Sequence, residues 1–220
     1  MGDFFSVDNT ALTVFGYPLS YVELLGTVFY LWSVWLITKR RILTWPVGIV
    51  SVLLYMTLFY QIRLYSDALE QVYYLLASVY GWWRWVHSPS IKGTILSVSF
   101  SSPKWILTCL IISVLLGLAM GLFMSRAHTL FPKIFPEEAS YPFLDALTTI
   151  MSFTAMWLMA RQRIESWLYW IAVDIVGIGL YYVKAVKFIS LLYVILLFLA
   201  IKGLISWIKT TKTYGSAAIS

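Results

Sequence analysis

Residues Arg41–Trp45 read RILTW, and residues Arg163–Trp167 read RIESW. The two stretches are 122 positions apart. The same displacement, without a gap, pairs Trp35 with Trp157, Leu36 with Leu158, Tyr60 with Tyr182, Gly81 with Gly203 and Trp85 with Trp207. From Leu25 to Trp85 it matches 15 of 61 positions. Apolar composition alone would match about six and would not align the tryptophans and glycines. The chain contains an internal repeat.

What repeats is apolar. The 220 residues are 60% hydrophobic and only 12% charged, with a mean hydropathy of +0.81. Soluble domains are about 25% charged, so this chain has too little polar surface to coat itself in water. It reads as an integral membrane protein. Seven stretches approach the roughly 20 apolar residues that cross a bilayer: about 19–38, 43–62, 68–86, 105–124, 142–160, 166–184 and 188–208. Nothing reads as the alternating strands of a membrane barrel, so the spans are helices. No low-complexity linker divides them.

Parity sets the arrangement. A three-helix unit ends on the side opposite its start, so a second unit of the same orientation needs one extra crossing. The fourth span supplies it, with Ser113, Gly117 and Gly121 at four-residue spacing for close helix packing. The expected fold is an all-α integral membrane protein of seven transmembrane helices in a 3+1+3 parallel-repeat arrangement. It forms a single domain over 1–220, with repeat one about 19–86, a linker helix about 105–124 and repeat two about 142–208. Transporters built on parallel repeats bind substrate between the repeats near the midplane.

Basic residues orient the chain. Lys39, Arg40, Arg41, Arg84, Lys92, Lys104, Arg161, Arg163, Lys202, Lys209 and Lys212 fall on one side; Arg63, Arg126, Lys133, Lys184 and Lys187 fall on the other. Positive residues favour the cytoplasm, which predicts an outside N-terminus and a cytoplasmic C-terminus. Cys109 is the only cysteine, and His87 and His128 stand in separate loops. No cofactor or metal site is expected, and no basic patch suggests nucleic acid.

Charges inside a membrane are costly and point to function. Asp174 sits near the middle of the sixth span, and Trp167, Trp170, Asp174, Gly177 and Tyr181 share one helix face at spacings of three and four. Aromatic faces attract cations and flat rings, and a carboxylate accepts hydroxyl hydrogen bonds. Trp167 also fits an interfacial anchor. In the third span, Asp67 and Glu70 have the spacing of an N-cap and its N3 partner. Gln71 and Tyr74 lie deeper on the same face, with Gln71 roughly 9 Å from the midplane. Lys184 faces the outer mouth. Glu23 and Asp145 hold matching outer positions, as helix caps or as part of a vestibule. The candidate substrate-binding residues are Gln71, Tyr74, Glu70, Trp167, Trp170, Asp174, Tyr181 and Lys184.

With DFFSV (Asp3–Val7), FYQIRLY (Phe59–Tyr65), Gln71 in LEQV, YGWWRW (Tyr80–Trp85) and ESWLYWIAVDIV (Glu165–Val176), the chain resembles the PnuC family of bacterial nicotinamide riboside transporters. The resemblance covers nearly the whole chain. It implies a SWEET-like fold in the bacterial inner membrane and facilitated diffusion of nicotinamide riboside. Phosphorylation by a cytoplasmic kinase would then trap the cargo, and a homotrimer is the expected assembly. Family members often have Asn where this chain has Asp174. On that reading the pyridinium meets Trp170 and Tyr181, the carboxamide meets Gln71, and the ribose meets Asp174 and Glu70. Thiamine, a nucleoside or a sugar is the alternative cargo. A retinal receptor would need a deep lysine in the last span, but Lys202 lies only about six residues from its cytoplasmic end. No phosphate-binding loop of an ATPase is present, and no enzyme activity is expected.

Overall fold

In the computed structural model, residues 5–14, 16–88, 90–91, 95–132, 134–135, 138–184 and 186–215 are described. Lys92 and Lys133 of the charge count, and Asp3 and Phe4 of the DFFSV stretch, lie outside them. The helices are α1 (Tyr21–Thr38), α2 (Thr44–Gln61), α3 (Tyr65–Val86), α4 (Pro103–Leu130), α5 (Pro142–Ala160), α6 (Ser166–Val183) and α7 (Lys187–Gly215). Six of these are long and apolar enough to cross a membrane by composition alone. The exception is α3, whose 22 residues include Asp67, Glu70 and Arg84.

Two short antiparallel hairpins accompany the helices: β1 (Thr10–Val14) with β2 (Tyr17–Ser20) precedes α1, and β3 (Ser90–Ile91) with β4 (Ile95–Leu96) lies between α3 and α4. The sequence reading had no strands; β2 takes the first two residues of the span predicted over 19–38, and the other strands lie outside the apolar spans. The first is tied down at both ends. Gln61 donates Nε2 to the Phe5 carbonyl at 2.7 Å and accepts the Val7 N–H at 3.0 Å. Tyr17 stacks on Phe188 at 5.7 Å and donates its hydroxyl to Glu23 at 2.9 Å. Burial, and then the neighbouring Glu23 carboxylate, pushes the Tyr17 phenol up to about 12.

The helices pack as a ring: α1 on α2, α2 on α3, α3 on α5, α5 on α6, α6 on α7, and α7 back on α1. α4 stands outside it, packed on α5. The small residues of α4 make that contact. Ser113 pairs with Thr154 at 2.9 Å, and a Cβ on Gly121 would come within 2.9 Å of the Phe143 backbone. The rest of α4 presents Leu107, Leu110, Ile111, Leu115 and Leu118 outward, as a lipid-facing helix does.

The 122-residue displacement relates geometry as well as letters. Trp45 lies where a Cβ on Gly81 would be, and Trp167 lies where a Cβ on Gly203 would be. Trp45 meets Trp85 edge to face at 5.2 Å and 90°; Trp167 meets Trp207 at 5.5 Å and 89°. Even the strained turns correspond. Arg40 (φ 55°) and Gln162 (φ 61°) both take the left-handed conformation after α1 and α5. Each closes the same Schellman turn, Arg41 N–H to Leu36 O at 3.1 Å and Arg163 N–H to Leu158 O at 2.9 Å.

Arg63 (φ 62°) closes α2 in this way too, with Leu64 N–H on Phe59 O at 2.9 Å. That turn feeds directly into α3, which therefore starts at Tyr65 with Leu64 as its N-cap residue. The capping expectation for Asp67 is corrected: the N-cap position belongs to Leu64, and Asp67 is already inside the first turn, where its carboxylate accepts from its own backbone N–H. One helix-start signal was overridden by the turn before it.

One end of the ring is basic, with Arg40, Arg41, Arg84, Arg161 and Arg163, and the other carries Glu23, Asp67, Glu70 and Asp145. At the basic end, segment 97–102 is fastened to the α5–α6 turn. Ser99 exchanges backbone bonds with Gln162 (3.3 Å) and Ile164 (3.1 Å), and buried Glu165 accepts the Ser101 N–H at 3.2 Å. The buried core at this end holds Ile37, Trp45, Trp85, Met159, Trp167 and Trp207.

Candidate functional site

The ring encloses a cavity of about 560 Å³, lined by residues of α1, α2, α3, α5, α6 and α7, with none from α4. Ligand pockets commonly span about 300–1,000 Å³. All eight sequence candidates line it: Glu70, Gln71 and Tyr74 from α3, Trp167, Trp170, Asp174 and Tyr181 from α6, and Lys184 at the end of α6.

Asp174 is 3% exposed, and among the described residues no hydrogen bond or ion pair to its carboxylate is present. Tyr30 of α1 and Tyr193 of α7 lie within electrostatic reach of it. One turn on, Gly177 leaves room for the Tyr193 ring, which would stand 2.6 Å from a Cβ at that position. Tyr193 in turn stacks on Tyr181 at 5.5 Å and 17°. The carboxylate therefore faces a wall of phenol rings drawn from several helices. Such a wall favours a flat cation, and a buried acceptor without a partner favours a donor-bearing ligand.

Opposite, Gln71 and Tyr74 enter from α3. Tyr74 packs edge to face with Tyr73 and with Phe153. Tyr73 fixes that pair by donating to the Phe153 carbonyl at 2.7 Å. Glu70 accepts from Thr149 of α5 at 3.2 Å, which joins α3 to α5 across the cavity mouth. Asp67 and Asp145 line the same mouth. Lys184 pairs with Asp145 at 3.5 Å, and its ammonium lies 5.6 Å from the Tyr141 ring and 5.8 Å from the Tyr181 ring. Both partners are part-exposed, so the pair adds at most about 1 kcal/mol.

Glu23 and Asp145, equivalent in sequence, part company here. Glu23 is held by Tyr17 away from the cavity, whereas Asp145 lines it. Trp167 is 1% exposed, under Trp207 and over Gly203. It is a floor residue of the cavity and not an interfacial anchor.

Residues absent from the sequence candidates also line the site, among them Tyr30, Tyr55, Ser78, Thr149, Ser152 and Tyr193. The repeat itself is the signal that finds several of them. Subtracting 122 from Trp167, Trp170, Asp174, Gly177 and Tyr181 yields Trp45, Gly48, Val52, Tyr55 and Phe59, and adding it to Gln71 and Tyr74 yields Tyr193 and Leu196. Every one of these lines the cavity.

Residues 20–209 match the family model described as nicotinamide mononucleotide transporter. The nicotinamide riboside transporter PnuC of Escherichia coli (strain K12) is 30% identical over 99% of both chains. This chain belongs to the PnuC family. It is a multi-pass membrane protein, and the named relatives are transporters, not enzymes. Another relative, the riboflavin/roseoflavin transporter RibM of Streptomyces davaonensis, is 27% identical over 91% of each chain. In fold, the chain is similar to the crystal structure of the vitamin B3 transporter PnuC, with a TM-score of 0.68 and 24% identity. That likeness covers 88% of this chain and 83% of the other.

Proposed function

We propose that this protein carries nicotinamide riboside across the bacterial inner membrane by facilitated diffusion with alternating access, after which a cytoplasmic kinase traps the cargo. All seven helices cross the bilayer in a SWEET-like 3+1+3 arrangement, α1–α3 and α5–α7 being parallel repeats and α4 the linker. The basic end faces the cytoplasm, by the positive-inside rule. α3 crosses despite its charges because Glu70 and Gln71 face the cavity and not lipid. A homotrimer is the proposed assembly.

The observation that carries the cargo assignment is the unpaired Asp174 carboxylate in a phenol-walled cavity. Nicotinamide riboside is a flat cation with a carboxamide and ribose hydroxyls. Its pyridinium suits Tyr181 and Trp170, its carboxamide suits the Gln71 amide, and its hydroxyls suit Asp174 and Glu70. Charge also separates the riboside from its phosphate. Among described residues the cavity is lined by the carboxylates Asp67, Glu70, Asp145 and Asp174 against one ammonium, Lys184. That balance attracts a cation and repels a phosphate.

Uptake of labelled nicotinamide riboside into proteoliposomes tests the proposal. Saturable uptake is expected, with unlabelled riboside competing more strongly than its mononucleotide, thiamine or riboflavin. Absent uptake by correctly inserted protein, or stronger competition by the mononucleotide or riboflavin, would overturn the assignment.

A further inference from the structure

The cavity ends at four tryptophans, and two of them do something the other two do not. Trp45 and Trp167 line its floor. Trp85 and Trp207 lie beyond it, 1% and 0% exposed, and meet each other at 6.2 Å across the centre of the ring. Each hands its indole N–H to another helix. Trp85 of α3 donates to the Ala160 carbonyl at the end of α5 at 3.2 Å. Trp207 of α7 donates to the Ile37 carbonyl at the end of α1 at 3.1 Å. Carbonyls in the last turn of a helix lack the usual intrahelical partners: Trp85 supplies one to Ala160, while the Ile37 carbonyl accepts both the Arg40 N–H at 2.9 Å and the Trp207 indole.

These bonds occupy special places in the ring. α3 against α5 and α7 against α1 are the two seams where the first three helices meet the last three. The contacts α1–α2, α2–α3, α5–α6 and α6–α7 stay within a half. If the halves part at the basic end, those inner contacts can persist, but both indole bonds must break. Two further cross-seam bonds sit beside them, Arg40 Nη1 to the Ser206 carbonyl at 3.2 Å and Ser88 to the Gln162 side chain at 3.2 Å. The tight seats of Trp45 over Gly81 and Trp167 over Gly203 lie within the halves and would travel with them.

We propose that Trp85 and Trp207 are paired latches of the gate at the basic end, holding the release path shut through their indole N–H bonds across the two seams. They act as positioning residues, touching each other and the helix ends and not the cargo. What passes the gate rests on the proposed transport function; the gate itself does not depend on the identity of the cargo.

A single-cysteine reporter tests it. With Cys109→Ala removing the native thiol, Ser78→Cys places one thiol on the cavity wall, where Ser78 is 2% exposed. Vesicles of each orientation are treated with a membrane-impermeant maleimide, without any cargo. Phe keeps an aromatic ring and removes the N–H, so W85F and W207F are the informative variants. Each is expected to speed labelling from the basic side about fivefold, and the double variant by about the product of the two, with labelling from the opposite side unchanged or slower. Arg40→Ala, which removes the part-buried seam bond to Ser206, is expected to act in the same direction more weakly. It keeps the test open if the double variant does not fold. Labelling from the basic side at the parent rate in folded protein, or equal acceleration from both sides, would overturn the latch. Because no cargo is added, such a failure is distinct from a failure of the uptake assay.

Discussion

Asp174 is buried at 3% exposure and has no hydrogen-bond or ion-pair partner among the described residues, and such a group weakens the fold that holds it. Asp174→Asn keeps the shape and lowers the desolvation cost. It should raise thermal stability, by about 1–3 kcal/mol, while weakening riboside binding about tenfold or more through loss of a charged acceptor. A melting curve and a binding titration on the same preparation check both signs; if stability and affinity fall together, Asp174 is a structural residue. Asp174 was legible in the sequence because a lone carboxylate in the middle of an apolar run is too costly to keep without a use. Tyr193 carries no such signal of its own: only its equivalence to Gln71 in the repeat points to it, and its place depends on the room that Gly177 leaves one turn from Asp174.

Among the elements, helix ends were the least legible part. A left-handed residue after a helix is usually Gly or Asn, and here Arg40, Arg63 and Gln162 take that role. Nothing in their identity announces it. The turn at Arg63 fixes where α3 begins, and for that reason the Asp67 spacing misled. Arg63→Val, which puts a branched side chain into φ 62°, should destabilise the protein by about 1–2 kcal/mol. Arg63→Gly should be neutral or mildly stabilising. Thermal unfolding of the two variants side by side checks this, and equal effects would show that backbone strain is not the reason. Span existence, by contrast, was easy to read: apolar runs of bilayer length have no other use, and all seven predicted spans fall on helices, although α4 and α7 run about one to two turns beyond the predicted C-terminal ends.

For the whole molecule, the fold and the site are one fact, since a ring closed by two seams has its cavity where the halves meet. The 122-residue displacement made most of this accessible from sequence, down to the mirrored seats of Trp45 and Trp167. It could not reveal where the halves diverge. Val52 holds the position equivalent to Asp174, and Gln71 the position equivalent to Tyr193, so the wall is chemically lopsided on a near-symmetric frame. A ligand held there bridges six helices at once. Nicotinamide riboside at about 100 times its dissociation constant should therefore stabilise the whole ring by about 2.7 kcal/mol in one cooperative transition. Thermal shift in detergent measures this; no shift at saturating riboside would contradict binding inside the ring.

α4 packs on α5 outside the ring and, among the described residues, contributes nothing to the cavity wall. Its two faces consequently answer to different selective pressures. The Ser113, Gly117 and Gly121 edge is constrained by the approach of α5, while the opposite edge packs on no helix of the ring. Across descendants of this protein, the outward residues of α4 are free to drift with membrane composition while cargo preference stays put. A change of cargo, in turn, can evolve without altering α4.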